Sequence, residues 1–168
     1  KGGDFRNVTF DDCTITNIVM LCDLRKTVET PTVNVNNCTF CYAPMETTKD
    51  AKTPLFRFGT NAANLNITNS IFGPSMATEG SAGSKIQLYT PGVAGSVLLD
   101  NNTTVLSVSG SYKTNFAYTP IGTDAVTYGI EGLIDFKGSE TDLWTAPAKG
   151  EFKFNASLDS EAGASKWK

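Results

Sequence analysis

The phrase VTFDDCTI at residues 8–15 returns as VNVNNCTF at 33–40 and as LNITNSIF at 65–72. Each copy runs apolar, polar, apolar, polar, then Asp or Asn, then a small Cys or Ser, a variable residue and an apolar one. Apolar residues at every second position follow strand periodicity, not helix periodicity. Taking Asp12, Asn37 and Asn69 as equivalent places the copies 25 and 32 residues apart. Repeats at such spacing read as stacked units, each covering its neighbour's apolar face.

A stack explains the residue types in the phrase. Asn and Asp tolerate the backbone of a sharp corner, and their side chains bond to the bent chain or to the same residue one level away, about 4.8 Å off. Asp12, Asn37 and Asn69 therefore read as a ladder of corners. A further step of 32 residues lands on Asn101 in VLLDNNTTV, which reads as the fourth member. The small Cys13, Cys38 and Ser70 that follow the corners read as an inward stack. The sequence predicts an all-β chain, a right-handed parallel β-helix with an irregular C-terminal cap. An antiparallel β-sandwich is the alternative, but a sandwich has no reason to reuse one corner sequence. Residues 1–109 form the rungs in this reading, and residues 110–168 a β-rich cap packed on the last rung.

Composition removes several kinds of chemistry. Histidine is absent from the 168 residues, so a Ser-His-Asp triad, a Cys-His dyad and a His-ligated metal cannot be built from this chain alone. The 14 basic and 17 acidic residues give a net charge of −3, without a Lys/Arg run that could track phosphates, so nucleic acid is not an expected partner. The apolar runs, such as IVML at 18–21, fall short of a bilayer span. A first residue Lys and an opening in mid-pattern predict further rungs or another domain upstream in the parent chain.

Cys13, Cys22, Cys38 and Cys41 include one CxxC, whereas thiolate metal sites usually carry two such knuckles. Buried free thiols are the expectation, with a disulfide as the alternative and no metal or cofactor. A lyase of uronic-acid polymers needs a basic residue and an acidic cluster for Ca²⁺. Arg57, between Phe56 and Phe58, is the only basic candidate singled out, and alternation points it outward. Carbohydrate binding asks less: aromatic faces with a few polar groups beside them. Tyr89, Tyr112, Tyr118 and Tyr128, with Arg57, are the candidate contacts. Trp144 and Trp167 read as anchors for the cap.

The stretches NVTFDDCTITNI, LNITNSIFGPS, SGSYKTNFAYTPIG and GSETDLWTAPAKGEFKFNASLDSEAGASKWK resemble the C-terminal part of Bacteroidetes cell-surface proteins of unknown function with a pectin-lyase-like β-helix. The matching residues are Leu143 and Trp144, Pro147, Gly150 to Phe152, and Ala162, Gly163 and Trp167. Glu151 replaces the usual Asp of that pattern, and Ala164, Ser165 and Lys166 stand where Asp, Pro and Arg are usual. The resemblance implies a surface lipoprotein, extracellular or on the outer membrane with the periplasm as alternative. It implies a non-catalytic polysaccharide-binding or scaffolding module of a bacterial glycan-uptake system. A polysaccharide lyase-like enzyme and a structural stalk or adhesin spacer are the other two readings. No catalytic residue is carried over by the resemblance.

Overall fold

The computed structural model describes residues 5–24, 30–43, 55–58, 62–73, 104–114, 132–158 and 161–168. The first copy of the phrase forms β1 (Asn7–Asp11) and β2 (Thr14–Thr16), followed by the short β3 (Cys22–Asp23). The second forms β4 (Thr32–Asn36) and β5 (Thr39–Cys41), followed by β6 (Phe56–Arg57). The third forms β7 (Ala63–Thr68) and β8 (Ile71–Phe72). Then come β9 (Thr104–Ser109), β10 (Tyr112–Lys113) and β11 (Ile134–Asp135). The chain ends with the short helix α1 (Glu140–Leu143) and the strands β12 (Trp144–Ala146) and β13 (Glu151–Phe154).

Equivalent strands pair in parallel. One sheet has the order β1-β4-β7-β9, a second β11-β10-β8-β5-β2, and a third joins β3 to β6. Among the described residues only β12 and β13 pair antiparallel. The chain is thus mostly strand in parallel sheets, with helix restricted among the described residues to α1 and two 3₁₀ turns at Pro147–Lys149 and Ser165–Trp167. Parallel pairing throughout the stack excludes the antiparallel sandwich.

In-register pairing sets the corners one above another. Asp12, Asn37 and Asn69 all take the left-handed backbone, with φ of 51°, 50° and 46°. That region costs most side chains 1–2 kcal/mol or so and is visited mainly by Gly, Asn and Asp. Each corner N–H donates to a carbonyl of the next rung at 3.0 Å: Asp12 to Asn36, Asn37 to Thr68 and Asn69 to Ser109. The fourth place in the ladder is a correction. It belongs to Gly110, with φ 54°, and not to Asn101, which lies outside the described residues. The fourth copy of the phrase is LSVSGSYK at 106–113, and its Ser111 stands 41 residues after Ser70. Gly replaces Asn there because a side chain at Gly110 would collide with the side-chain oxygen of Asn69.

The main core lies between the sheets. Val33, Val35, Cys38 and Phe40 of the second rung and Leu65, Ile67 and Phe72 of the third have no exposed surface. The Phe40 and Phe72 rings stack 4.6 Å apart and nearly parallel, as identical floors require. Each such side chain contributes about 1.5–3 kcal/mol on burial. Beside the corners, Ser70 donates to the Thr68 carbonyl and Ser111 to the Ser109 carbonyl, both at 2.9 Å. Each hydroxyl also accepts a backbone N–H from the rung before, Cys38 at 3.0 Å and Ser70 at 2.9 Å. Outside, amides climb from rung to rung: Asn66 Nδ2 donates to Asn34 Oδ1 at 2.9 Å, and Asn34 Nδ2 to Thr9 Oγ1 at 3.3 Å.

The expected boundary at 109 falls inside a rung, because β9, the Gly110 corner and β10 continue the same two sheets. Nor does the terminal segment sit on the last rung. Gly163 N–H donates to the Asn69 carbonyl of the third rung, and Ala164 N–H to Thr39 Oγ1 of the second. Ser165 then reaches Asp12 of the first rung, so the tail runs along the flank of the stack, back to its start.

The corner backbone generates a prediction. Asn69→Gly is expected to change stability by less than ~1 kcal/mol, because Gly110 already fills that conformation one rung on. Asn69→Val is expected to lose ~2 kcal/mol or more, from left-handed strain on a β-branched residue. Urea unfolding midpoints of the two variants measure the difference.

Candidate functional site

The middle of the second sheet's outward face is covered, while Ile134 on the same face in β11 stays exposed. Cys41, Ile71 and Tyr112 from β5, β8 and β10 pack beneath Leu143, Trp144 and Phe152 of the terminal segment in a second core. Trp144 is fully buried, with its ring edge-on to Phe152 at 5.1 Å. Gly73 makes this possible: an added Cβ there would lie 2.8 Å from the Trp144 ring. The Trp144 Nε1–H has no acceptor among the described residues, so its place rests on the size of the indole and not on its polar handle.

The hairpin is tied down by the tail. Phe152 meets Trp167 edge-on at 5.6 Å, and Trp167 Nε1 donates to Thr14 Oγ1 of the first rung at 2.7 Å. Asp12 receives the Ser165 hydroxyl at 2.6 Å and the Ser165 backbone N–H at 2.5 Å. These two bonds, the hydroxyl first, hold the Asp12 carboxyl below its ordinary range, helped by Lys168 and Lys166. An acid at this corner, where the next two rungs carry Asn, thus matches the two donors it faces.

Between the hairpin and the stack lies an open cleft of about 290 Å³. One wall is a second corner of the rungs. Asn17 and Tyr42 follow β2 and β5 at equivalent positions, and both take the left-handed backbone with φ of 55° and 54°. The other wall is the turn Pro147–Gly150, with Phe152 at the base. Gly150, at φ 79°, closes that turn by donating its N–H to the Pro147 carbonyl, which leaves Lys149 exposed on the rim. The cleft therefore sets a phenol, an amide and an ammonium around one space, above the buried Phe152. Burial raises the Tyr42 phenol above its usual range, with Cys41 and Glu140 adding to the effect, so it stands protonated as a hydrogen-bond donor at neutral pH.

The residues expected from sequence are placed otherwise. Tyr112 is only 8% exposed and belongs to the second core, which corrects its reading as a surface sugar contact. Arg57 lies in β6 with its backbone beside Asp23 of β3. Tyr89, Tyr118 and Tyr128 lie outside the described residues. Trp144 and Trp167 fasten the terminal segment to the flank. Cys41 ends β5 and faces the second core, whereas Cys38, just before β5, faces the main core, so the two thiols of the CxxC point apart. Among the described residues no cluster of three His, Cys, Asp or Glu is placed to hold an ion. Asn17, Tyr42 and Lys149 were not singled out. A signal for the first two exists, since TITN and TFCY follow their corners with the same spacing.

Comparison of the chain with family models, with curated proteins and with solved structures finds no match.

The Asp12 contact fixes a pH dependence. A carboxyl whose folded value is depressed stabilises the docked tail above its ordinary range and loses that contribution as the pH falls through the lowered value. Trp167 fluorescence is expected to change in acid before the far-ultraviolet β signal does. Asp12→Asn is expected to show the released signal already at neutral pH. Coincident transitions, with Asp12→Asn identical to the parent chain, would refute the latch.

Proposed function

We propose that this chain is a right-handed parallel β-helix module that binds polysaccharide without transforming it, at the surface of a bacterium that takes up glycans. The observation that carries the reading is the cleft between the Asn17–Tyr42 corner and the Pro147–Gly150 turn. It offers the partly exposed ring of Tyr42 beside the Asn17 amide and the Lys149 ammonium, the combination that stacks on a sugar face while bonding to its hydroxyls. The parallel register of four successive rungs and the left-handed corner ladder support the β-helix part of the proposal. The bacterial surface location rests on the resemblance of the Trp144, Gly150–Phe152 and Ala162–Trp167 pattern. Among the described residues no helix is long and apolar enough to cross a membrane. The scaffold brings the walls of the cleft together from distant parts of the chain, so a ligand there would depend on the docked hairpin.

A glycan array with neutral and acidic polysaccharides, with and without Ca²⁺, tests the proposal. Binding is expected, and Lys149→Ala is expected to weaken it about tenfold, equivalent to ~1.4 kcal/mol. Tyr42→Phe should weaken it as well, by removing the phenolic hydroxyl while keeping the ring. Absorbance of unsaturated uronates should not rise on any bound glycan; a rise would replace this reading with a lyase. Binding insensitive to both substitutions would move the site elsewhere.

A further inference from the structure

The inward column beside the first set of corners reads Cys13, Cys38, Ser70, Ser111 from rung to rung. Thiols thus occupy two adjacent floors, and hydroxyls the next two. Asp11 pairs with Asn36 and Thr14 with Thr39, which sets Cys13 directly beside Cys38. Adjacent strands lie about 4.8 Å apart, within the ~4.4–6.8 Å Cα separation of bridged cysteines. Both side chains turn to the same interior, Cys38 buried in the main core and Cys13 packed against it. The thiols are held alike. Cys13 Sγ donates to the Asp11 carbonyl at 3.2 Å and Cys38 Sγ to the Asn36 carbonyl at 3.1 Å, with the Phe10 carbonyl 3.5 Å from Cys38 Sγ. We propose that Cys13 and Cys38 are a redox pair that closes into a disulfide between the first and second rungs.

The two cysteines differ in access, and this sets the order of events. Cys13 is half-buried, whereas Cys38 has no exposed surface. Burial, the largest cause, pushes the Cys38 thiol up to about 11, so it is the poorer first nucleophile. A Cys13 thiolate attacks a small-molecule disulfide RSSR, forming a Cys13–SR mixed disulfide and releasing one RSH. The Cys38 thiolate then attacks the Cys13 sulfur, forming the Cys13–Cys38 bond and releasing the second RSH. Two protein thiols are oxidised, one external disulfide is reduced, and the two protons leave on the two RSH molecules. The movement needed falls on the first rung, whose Val8, Phe10 and Ile15 are half-exposed while their second-rung counterparts Val33, Val35 and Phe40 are fully buried. The bridge would fasten this rung to the core.

The alternative pairings are disfavoured by place. Cys41 faces the second core and so lies across β5 from Cys38. Cys22 packs against the same core but from β3, in a different sheet, where its strand partner is Phe56 of β6 and neither Cys13 nor Cys38.

The full chain, incubated with oxidised glutathione, alkylated and mapped by mass spectrometry without reduction, provides the test. The expected product is a Cys13–Cys38 linked peptide lighter by two hydrogens, with Cys22 and Cys41 alkylated. Its thermal midpoint is expected several degrees above that of the reduced chain, and the gain should vanish in Cys38→Ser, which copies the Ser70 floor. If that variant fails to fold, Cys13→Ala at the half-exposed rung gives the same comparison. Alkylation at all four cysteines, glutathione retained on Cys13, or a disulfide joining any other pair would overturn the proposal.

Discussion

The rest of the structure depends on one constraint: corners that lie in register must turn the same way at every level. At about 4.8 Å between strands, a residue at a corner meets its own equivalents above and below before it meets anything else. The left-handed backbone at Asp12, Asn37, Asn69 and Gly110 satisfies this, and at the first three it aims the corner N–H at the neighbouring rung. Once the corners are fixed, the flanking strands have no freedom of register, because a slip by one residue would put Val33 and Val35 outside and Asn34 and Asn36 inside. The small residue after each corner follows from the same condition. Only a side chain the size of Cys or Ser both reaches back to the carbonyl two residues earlier and leaves room for the N–H of the adjoining rung.

The stack alone would leave one sheet's outer face apolar at Cys41, Ile71 and Tyr112, and the terminal segment covers it. The cover is built from bulk in the hairpin and from smallness in the tail. Trp144 and Phe152 fill space above the sheet, while Ala162, Gly163 and Ala164 let the chain pass close to the corners. Gly163, at φ 90°, lies where an added Cβ would come 3.1 Å from Ile71 and 3.2 Å from Phe154 and from Thr39. The tail crosses the third, second and first rungs with successive residues 163, 164 and 165, a transverse strap whose hydrogen bonds belong to floors far apart in sequence.

Sequence alone carried the stack because its signal is local and repeated. Period-two alternation, an Asn or Asp corner and a small following residue each occur within eight positions and recur three times. The fourth copy was misplaced at Asn101 because its corner is glycine and its last residue is Lys113, which breaks the apolar end of the phrase and pairs with Asp135 at 3.2 Å instead. The position of the terminal segment was not legible for a different reason. Nothing near Ser165 in the chain announces that its partner is Asp12, more than a hundred residues away. The one hint is that the first corner is an acid and the next two are amides. Tyr112 was misjudged on similar grounds, since a tyrosine beside a corner reads as exposed until the hairpin that buries it is in place.

The two corners of a rung therefore have different fates, and this is what opens the cleft. At the first corner, the Asn37 amide bonds back to Asp11 and the tail occupies Asp12, so the polar groups there are spent on the fold. At the second, Asn17 bonds only weakly, to its neighbour Thr16 at 3.4 Å, and the phenol of Tyr42 stands next to open space. Among the described residues the left-handed backbone at the second corner is that of Asn17 and Tyr42. Side-chain chemistry at that corner is free to face outward, and the hairpin turn at Lys149 encloses it on the far side. A cleft at this place needs no departure from the repeating pattern, because it uses Asn17 and Tyr42, corner residues that neither the ladder nor the strap consumes.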